Sequence, residues 1–70
     1  MLPLTMMSAG ERVAVKKVNG KPEVRQFLEN LGFVPGSNVC LVAKNGGNVI
    51  VNVKESRVAI SSGMANKILV

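Results

Sequence analysis

The sequence predicts a small, mainly β barrel of five to six short strands, with one α-helix capping it. Three observations carry this reading. Short valine-rich runs at 12–16, 38–43, 49–53 and 58–60 place branched residues at every second position, the pattern of short strands. Turn dipeptides punctuate the chain at Asn19-Gly20, Pro35-Gly36 and Gly46-Gly47. One stretch alone has helical spacing: Val24, Phe27, Leu28 and Leu31 fall at i, i+3, i+4 and i+7. Several short strands and a single helix leave edges that invite aggregation unless the sheet closes on itself, and a small SH3-like barrel is the closure that fits.

Taken in order, Leu2, Leu4 and Met7 supply an opening strand or extended arm, in which Pro3 disfavours a central position. Ser8-Ala9-Gly10-Glu11 reads as a turn. From Arg12 to Lys16 the alternation turns Val13 and Val15 inward, and Lys17-Val18 breaks it, which predicts a strand end or bulge there. The helix is expected from about Pro22 to Leu31. Proline suits its first turn, where a missing N–H costs nothing, and Glu23 complements the dipole. Gly32 stands where a helix ends in positive φ, so Phe33 follows as the residue whose capping contact is with Leu28. Pro35-Gly36 then makes a type II turn into the next strand. Phe27, Leu28, Leu31, Gly32, Phe33, Pro35 and Gly36 are therefore read as structural. The helix face Val24, Phe27, Leu28 and Leu31 is read as core, so truncating Phe27 to alanine is expected to cost about 3–5 kcal/mol.

Residues 38–43 and 49–53 form a hairpin around Lys44-Asn45-Gly46-Gly47-Asn48. Setting Ala43 opposite Val49 places Leu41 opposite Val51 and Val39 opposite Val53, all inward. Val42 with Ile50, and Cys40 with Asn52, then pair on the outer wall. Lys54-Glu55-Ser56 is a polar turn before a strand through Val58 and Ile60. Residues 61–66 make one helical or 3₁₀ turn capped by a serine, and Ile68 to Val70 is the closing strand.

The length allows one domain, residues 1–70, with a thin stability margin. At 47% hydrophobic the chain has enough apolar residues for a folded core. One cysteine excludes an internal disulfide. The N-terminus lacks the basic segment and apolar run of a signal peptide, no run approaches the ~20 apolar residues of a membrane span, and a cytoplasmic location is expected. With no histidine, no aspartate and no P-loop, the sequence offers little for acid–base, nucleophilic or nucleotide chemistry, and an enzyme is not expected.

The order of short motifs resembles one family. Leu4, Met7 and Gly10 make an L-x-x-M-x-x-G opening. Leu31 to Gly36 reads L-G-F-V-P-G, Val58 to Ile60 reads V-A-I, and Ala65 to Val70 reads A-N-K-I-L-V. The combination is similar to FeoA, the small cytosolic A protein of bacterial ferrous-iron uptake, over nearly the whole chain. The resemblance implies an SH3-like barrel, related to the C-terminal domain of repressors of the diphtheria-toxin-repressor type. It implies an accessory role on the membrane-embedded B protein, whose cytosolic part hydrolyses GTP. Iron or another transition metal is implied only by that resemblance. No cofactor and no metal ligand set is read from the residues. Two departures stand out: many members carry glycine where this chain has Lys54-Glu55-Ser56, and a basic residue where it has Ser61.

Candidate partner contacts are of two kinds. The net charge is +5, and Lys16, Lys17, Lys21 and Arg25, with Arg12 nearby in sequence, form a basic cluster suited to an acidic protein surface or anionic headgroups. Such clusters are often only solvated faces. Val42 and Ile50 form an outer apolar pair that either is covered by the chain's own arm or helix, or docks the B protein or a second copy. Self-association is left open, and any membrane contact runs through the partner. The alternatives are a nucleic-acid-binding small barrel or a metal-responsive regulatory module. Against nucleic acid stands the absence of Tyr and Trp, with both Phe claimed by the helix and its cap, so stacking platforms are lacking. Cys40, the one soft ligand, reads as a small hydrophobe.

Overall fold

The helix and its exit set the corner into the main sheet. In the computed structural model, which describes residues 1–70, α1 spans Pro22–Leu31, with Pro22 at its first position. It ends at Gly32, whose φ is +113°. The Gly32 N–H donates to the Glu29 carbonyl at 2.9 Å and the Phe33 N–H to the Leu28 carbonyl at 3.0 Å, a Schellman ending. Leu28 and Phe33, the apolar pair of that motif, are both fully buried in one core. The chain then reverses through Val34-Pro35-Gly36-Ser37, where the Ser37 N–H reaches the Val34 carbonyl at 2.9 Å and Gly36 has φ +93°.

Six strands follow the expected order: β1 Arg12–Ala14, β2 Lys17–Val18, β3 Asn38–Asn45, β4 Asn48–Val53, β5 Ser56–Ser61 and β6 Ile68–Leu69. They form two sheets, β1-β3-β4-β5 and β2-β6, with antiparallel pairing throughout. The break expected near Lys17 is the point where the chain changes sheets. The Val15 N–H bonds to the Ser37 carbonyl, and the Lys16 N–H, one residue on, bonds to the Leu69 carbonyl, each at 2.8 Å. The opening segment is a 3₁₀ turn, Leu4–Met6, rather than a strand. Pro3 bridges Leu69, and Leu2 and Val70 exchange backbone hydrogen bonds of 2.9 and 2.8 Å, so the two termini close the fold together. A four-residue helix, α2 (Ser62–Ala65), starts at Ser61, whose hydroxyl accepts from the Met64 N–H at 3.1 Å.

The inward residues Val39, Leu41, Val49, Val51, Val53 and Ile60 meet Leu4, Val15, Leu28, Phe33, Ala65 and Ile68 in a core that contains no polar or charged side chain. The result is a mainly β, SH3-like fold of six strands in two sheets, to whose core α1 contributes Leu28; the closure expected to remove the strand edges is incomplete, because β1 and β5 end the four-stranded sheet.

Besides the opening segment, two further expectations need correction. Phe27 is not core: 47% of its surface is exposed. The helix is rolled toward Leu28 and Gly32, where a Cβ on Gly32 would lie 3.1 Å from Val53 Cγ2. Phe33 fills the aromatic place in the core, Val24 and Leu31 are half-buried, and Phe27 is left at the rim. The β3–β4 register is also different beyond Leu41. Val39 faces Val53, Cys40 faces Asn52 and Leu41 faces Val51, as expected, but Ala43 faces Ile50 and Lys44 faces Val49, with Val42 taken up by a bulge. The bulge lets Asn45 and Asn48 pair around a two-residue Gly46-Gly47 turn, in place of the five-residue loop.

Candidate functional site

The outward face of the four-stranded sheet carries two ordered rows. Cross-strand partners place Arg12, Cys40, Asn52 and Arg57 in one row, and Ala43, Ile50 and Ala59 in the next. Val42 sits at the bulge beside this second row. Val42 and Ile50 are half-buried, and the cross-strand partner of Ile50 is Ala43 rather than the Val42 expected from the sequence. Arg57 is tied into its row by an Nε–H donating to Asn52 Oδ1 at 3.3 Å. At the β1 end of the polar row lies an open groove of about 440 Å³, lined by Arg12, Asn38, Cys40, Asn52, Lys54 and Glu55 among others.

Lys54 and Glu55 are the two positive-φ residues other than glycine, at φ 50° and 66°. They form the two-residue turn between β4 and β5. Positive φ at both central positions marks a type I′ turn, whereas the Gly46-Gly47 turn has it only at its first residue. The Lys54 stem has a second task, because its Cδ lies 3.2 Å from where a Gly32 Cβ would stand. The turn thus packs on the helix ending.

The basic residues read as a cluster are spread over β2, the residue before it and the start of α1. Lys17 pairs with Leu69 in the β2–β6 ribbon, and Lys21 is the helix N-cap, its carbonyl accepting from the Arg25 N–H at 3.0 Å. Lys16, Lys17, Lys21 and Arg25 are all exposed. Lys67, at the start of the closing segment, packs beside Asn19-Gly20 just ahead of α1. Its carbonyl accepts from the Asn19 N–H, and its Cδ lies 3.0 Å from a Cβ built on Gly20. Arg12 does not belong to this cluster and faces the groove instead. Lys67 and the Arg12–Arg57 row are products of strand order, and only a residue-by-residue pairing of β2 with β6 and of β1 with β3 would have shown them.

Metal binding has a poor donor set. No three side chains of His, Cys, Asp and Glu gather anywhere in the fold. Half-buried Cys40 shares its groove with one carboxylate, Glu55, and with the cations of Arg12 and Lys54. A transition-metal ion wants three or four donors and gains nothing from neighbouring positive charge. The residues do not fit a resident metal. No helix is long and apolar enough to cross a membrane.

Fold and surface together define a small SH3-like domain that offers a basic flank and an outer sheet face. The family it falls in is clear from residues 2–70, which match the FeoA domain model, and the chain belongs to the FeoA family. A 37% identical relative, "Putative Fe(2+) transport protein A" of Methanocaldococcus jannaschii, aligns over all of this chain and 85% of its own length. The zinc-complexed FeoA of Stenotrophomonas maltophilia, described as an SH3 domain protein, is 28% identical with a TM-score of 0.81, over 94% of this chain and 85% of that one. A manganese-dependent transcriptional repressor shares the fold alone: its TM-score is 0.85 at 19% identity, over 94% of this chain and 38% of the repressor.

Proposed function

We propose that this chain is a cytoplasmic, non-enzymatic accessory protein of ferrous-iron uptake, which docks on the cytosolic GTP-hydrolysing part of a membrane-embedded transporter and tunes its activity. The observation that carries the reading is membership of the FeoA family across residues 2–70, with an iron-transport name on a relative that aligns end to end with this chain. In this reading iron is the cargo of the transporter, and the accessory protein contributes surface. The exposed Lys16, Lys17, Lys21 and Arg25 speed and orient encounter with an acidic partner, as complementary charge does. The Val42–Ile50 neighbourhood supplies apolar area that a partner can cover.

Retention of the transporter's purified cytosolic domain on immobilised protein tests this. The wild-type chain should retain it. A Val42→Lys, Ile50→Lys double variant should stay folded and lose retention, and a Lys17→Glu, Lys21→Glu, Arg25→Glu variant should lose it most at low salt. No retention by wild type, together with polyanion binding that falls steeply with salt, would replace this reading with the nucleic-acid one.

A further inference from the structure

We propose that the free edge of β5 is a strand-addition site for an extended segment with an apolar residue and, two positions later, an acidic residue. The two edges of the four-stranded sheet are not alike. The β1 edge is three residues long, and beyond it the chain crosses to the other sheet at Val15-Lys16. The β5 edge is six residues long, pairs with β4 without a bulge and contains no proline or lysine. None of its backbone groups bonds to anything beyond β4 except where α2 begins. Exposed edges are ordinarily shortened, bent or charged, and here Arg57 is the one charge.

The hydrogen-bond phase identifies the free groups. Val53 and Ser56 flank a two-residue turn, so Ser56, Val58 and Ile60 bond to β4. The Ser62 N–H, next in that phase, donates to the Gly47 carbonyl at 2.8 Å. Arg57 and Ala59 therefore direct both N–H and C=O away from the sheet. Their side chains are the outward ones, at the ends of the two rows. An antiparallel strand added here sets one residue opposite Ala59, extending the apolar row of Ala43 and Ile50. Two residues later it sets another opposite Arg57, beside a guanidinium, where a carboxylate is favoured. The residue between them falls next to half-buried Val58 on the inward side and should be β-branched. Charge also selects a foreign segment over a second copy, because each copy carries +5. The site stands on backbone geometry, whether or not the transporter is the partner.

The test titrates ¹⁵N-labelled protein with a synthetic nonapeptide centred on Val-Val-Glu and with its Val-Val-Lys counterpart. The Glu peptide should shift the Arg57 and Ala59 amide resonances first and slow their hydrogen exchange. Ala59→Pro removes a donor that the fold does not use, and edge strands tolerate proline with its nitrogen toward solvent. Losing that bond should weaken binding about tenfold. Arg57→Glu, a surface change that keeps the fold even if the proline variant does not, should reverse the preference toward the Lys peptide. Shifts elsewhere, equal affinity for both peptides, or a dimer in sedimentation with protected β5 amides would each overturn the proposal.

Discussion

Phe33 and Phe27 are the two aromatic residues of the chain, and the helix exit sends them to opposite environments. Phe33, one residue past the glycine, is fully buried, while Phe27 is 47% exposed although it lies on the apolar side of the helix. Spacing alone could not separate them, since Phe27 belongs to the i, i+3, i+4, i+7 set as much as Leu28 does. What separates them is the roll of the helix, fixed where Gly32 backs onto Val53 and the Lys54 stem. Phe33→Ala should cost about 3–5 kcal/mol. Phe27→Ala should cost about 1 kcal/mol, roughly half of what full burial of such a side chain is worth. Urea unfolding followed by far-ultraviolet circular dichroism measures both, as the chain has no Trp or Tyr to report by fluorescence. Equal losses would mean that Phe27 is core after all.

At the scale of elements, the signals legible in the sequence are local ones. Pro22 starts α1 and Gly32 ends it, Gly36 turns the corner, and Ser61 caps α2. Each needs only its neighbours to act. In the β3–β4 hairpin two local rules conflict. The valine pattern sets Leu41 against Val51, the glycine turn sets Asn45 against Asn48, and these registers differ by one residue. Both are kept, and Val42 absorbs the difference as a bulge. The conflict was present in the sequence and could have been read as the signature of a bulge. The β4–β5 turn shows the reverse case, in which geometry outweighs residue preference. Left-handed backbone costs a side-chain-bearing residue about 1–2 kcal/mol, part of which glycine would return as unfolded-state entropy. Glu55→Gly should therefore stabilise the fold by about 0.5–1 kcal/mol and raise Tm by roughly 4 °C in a thermal melt. Lys54→Gly should give less, because it also strips the stem that packs over Gly32. A fall in Tm for Glu55→Gly would show that the Glu55 side chain holds the turn.

For the whole molecule, what could not be read locally is which strands share a sheet. The candidate surfaces depend on that partition. Lys67 comes to the basic flank because β6 pairs with β2, and Arg12 leaves it because β1 pairs with β3. The same partition makes the termini part of the closure. Leu2 and Val70 exchange two backbone hydrogen bonds, Pro3 bridges Leu69, and Leu4 then turns into the core with none of its surface exposed. Leu2 itself contributes its backbone, its side chain being half exposed. The two leucines thus separate the covalent strap from the plug it carries. Leu4→Ala removes core volume where the closing strand and α2 meet, and should cost about 2–5 kcal/mol. A 70-residue domain has only about 4–10 kcal/mol in total, so the variant should be visibly unfolded at moderate urea. Leu2→Ala leaves both hydrogen bonds in place and should change stability by less than about 0.5 kcal/mol. The two denaturation midpoints decide it. If Leu4→Ala is as mild as Leu2→Ala, the opening turn is an ornament on a barrel already closed by β2 and β6. If both are severe, the strap itself, and not the side chain it delivers, holds the ends together.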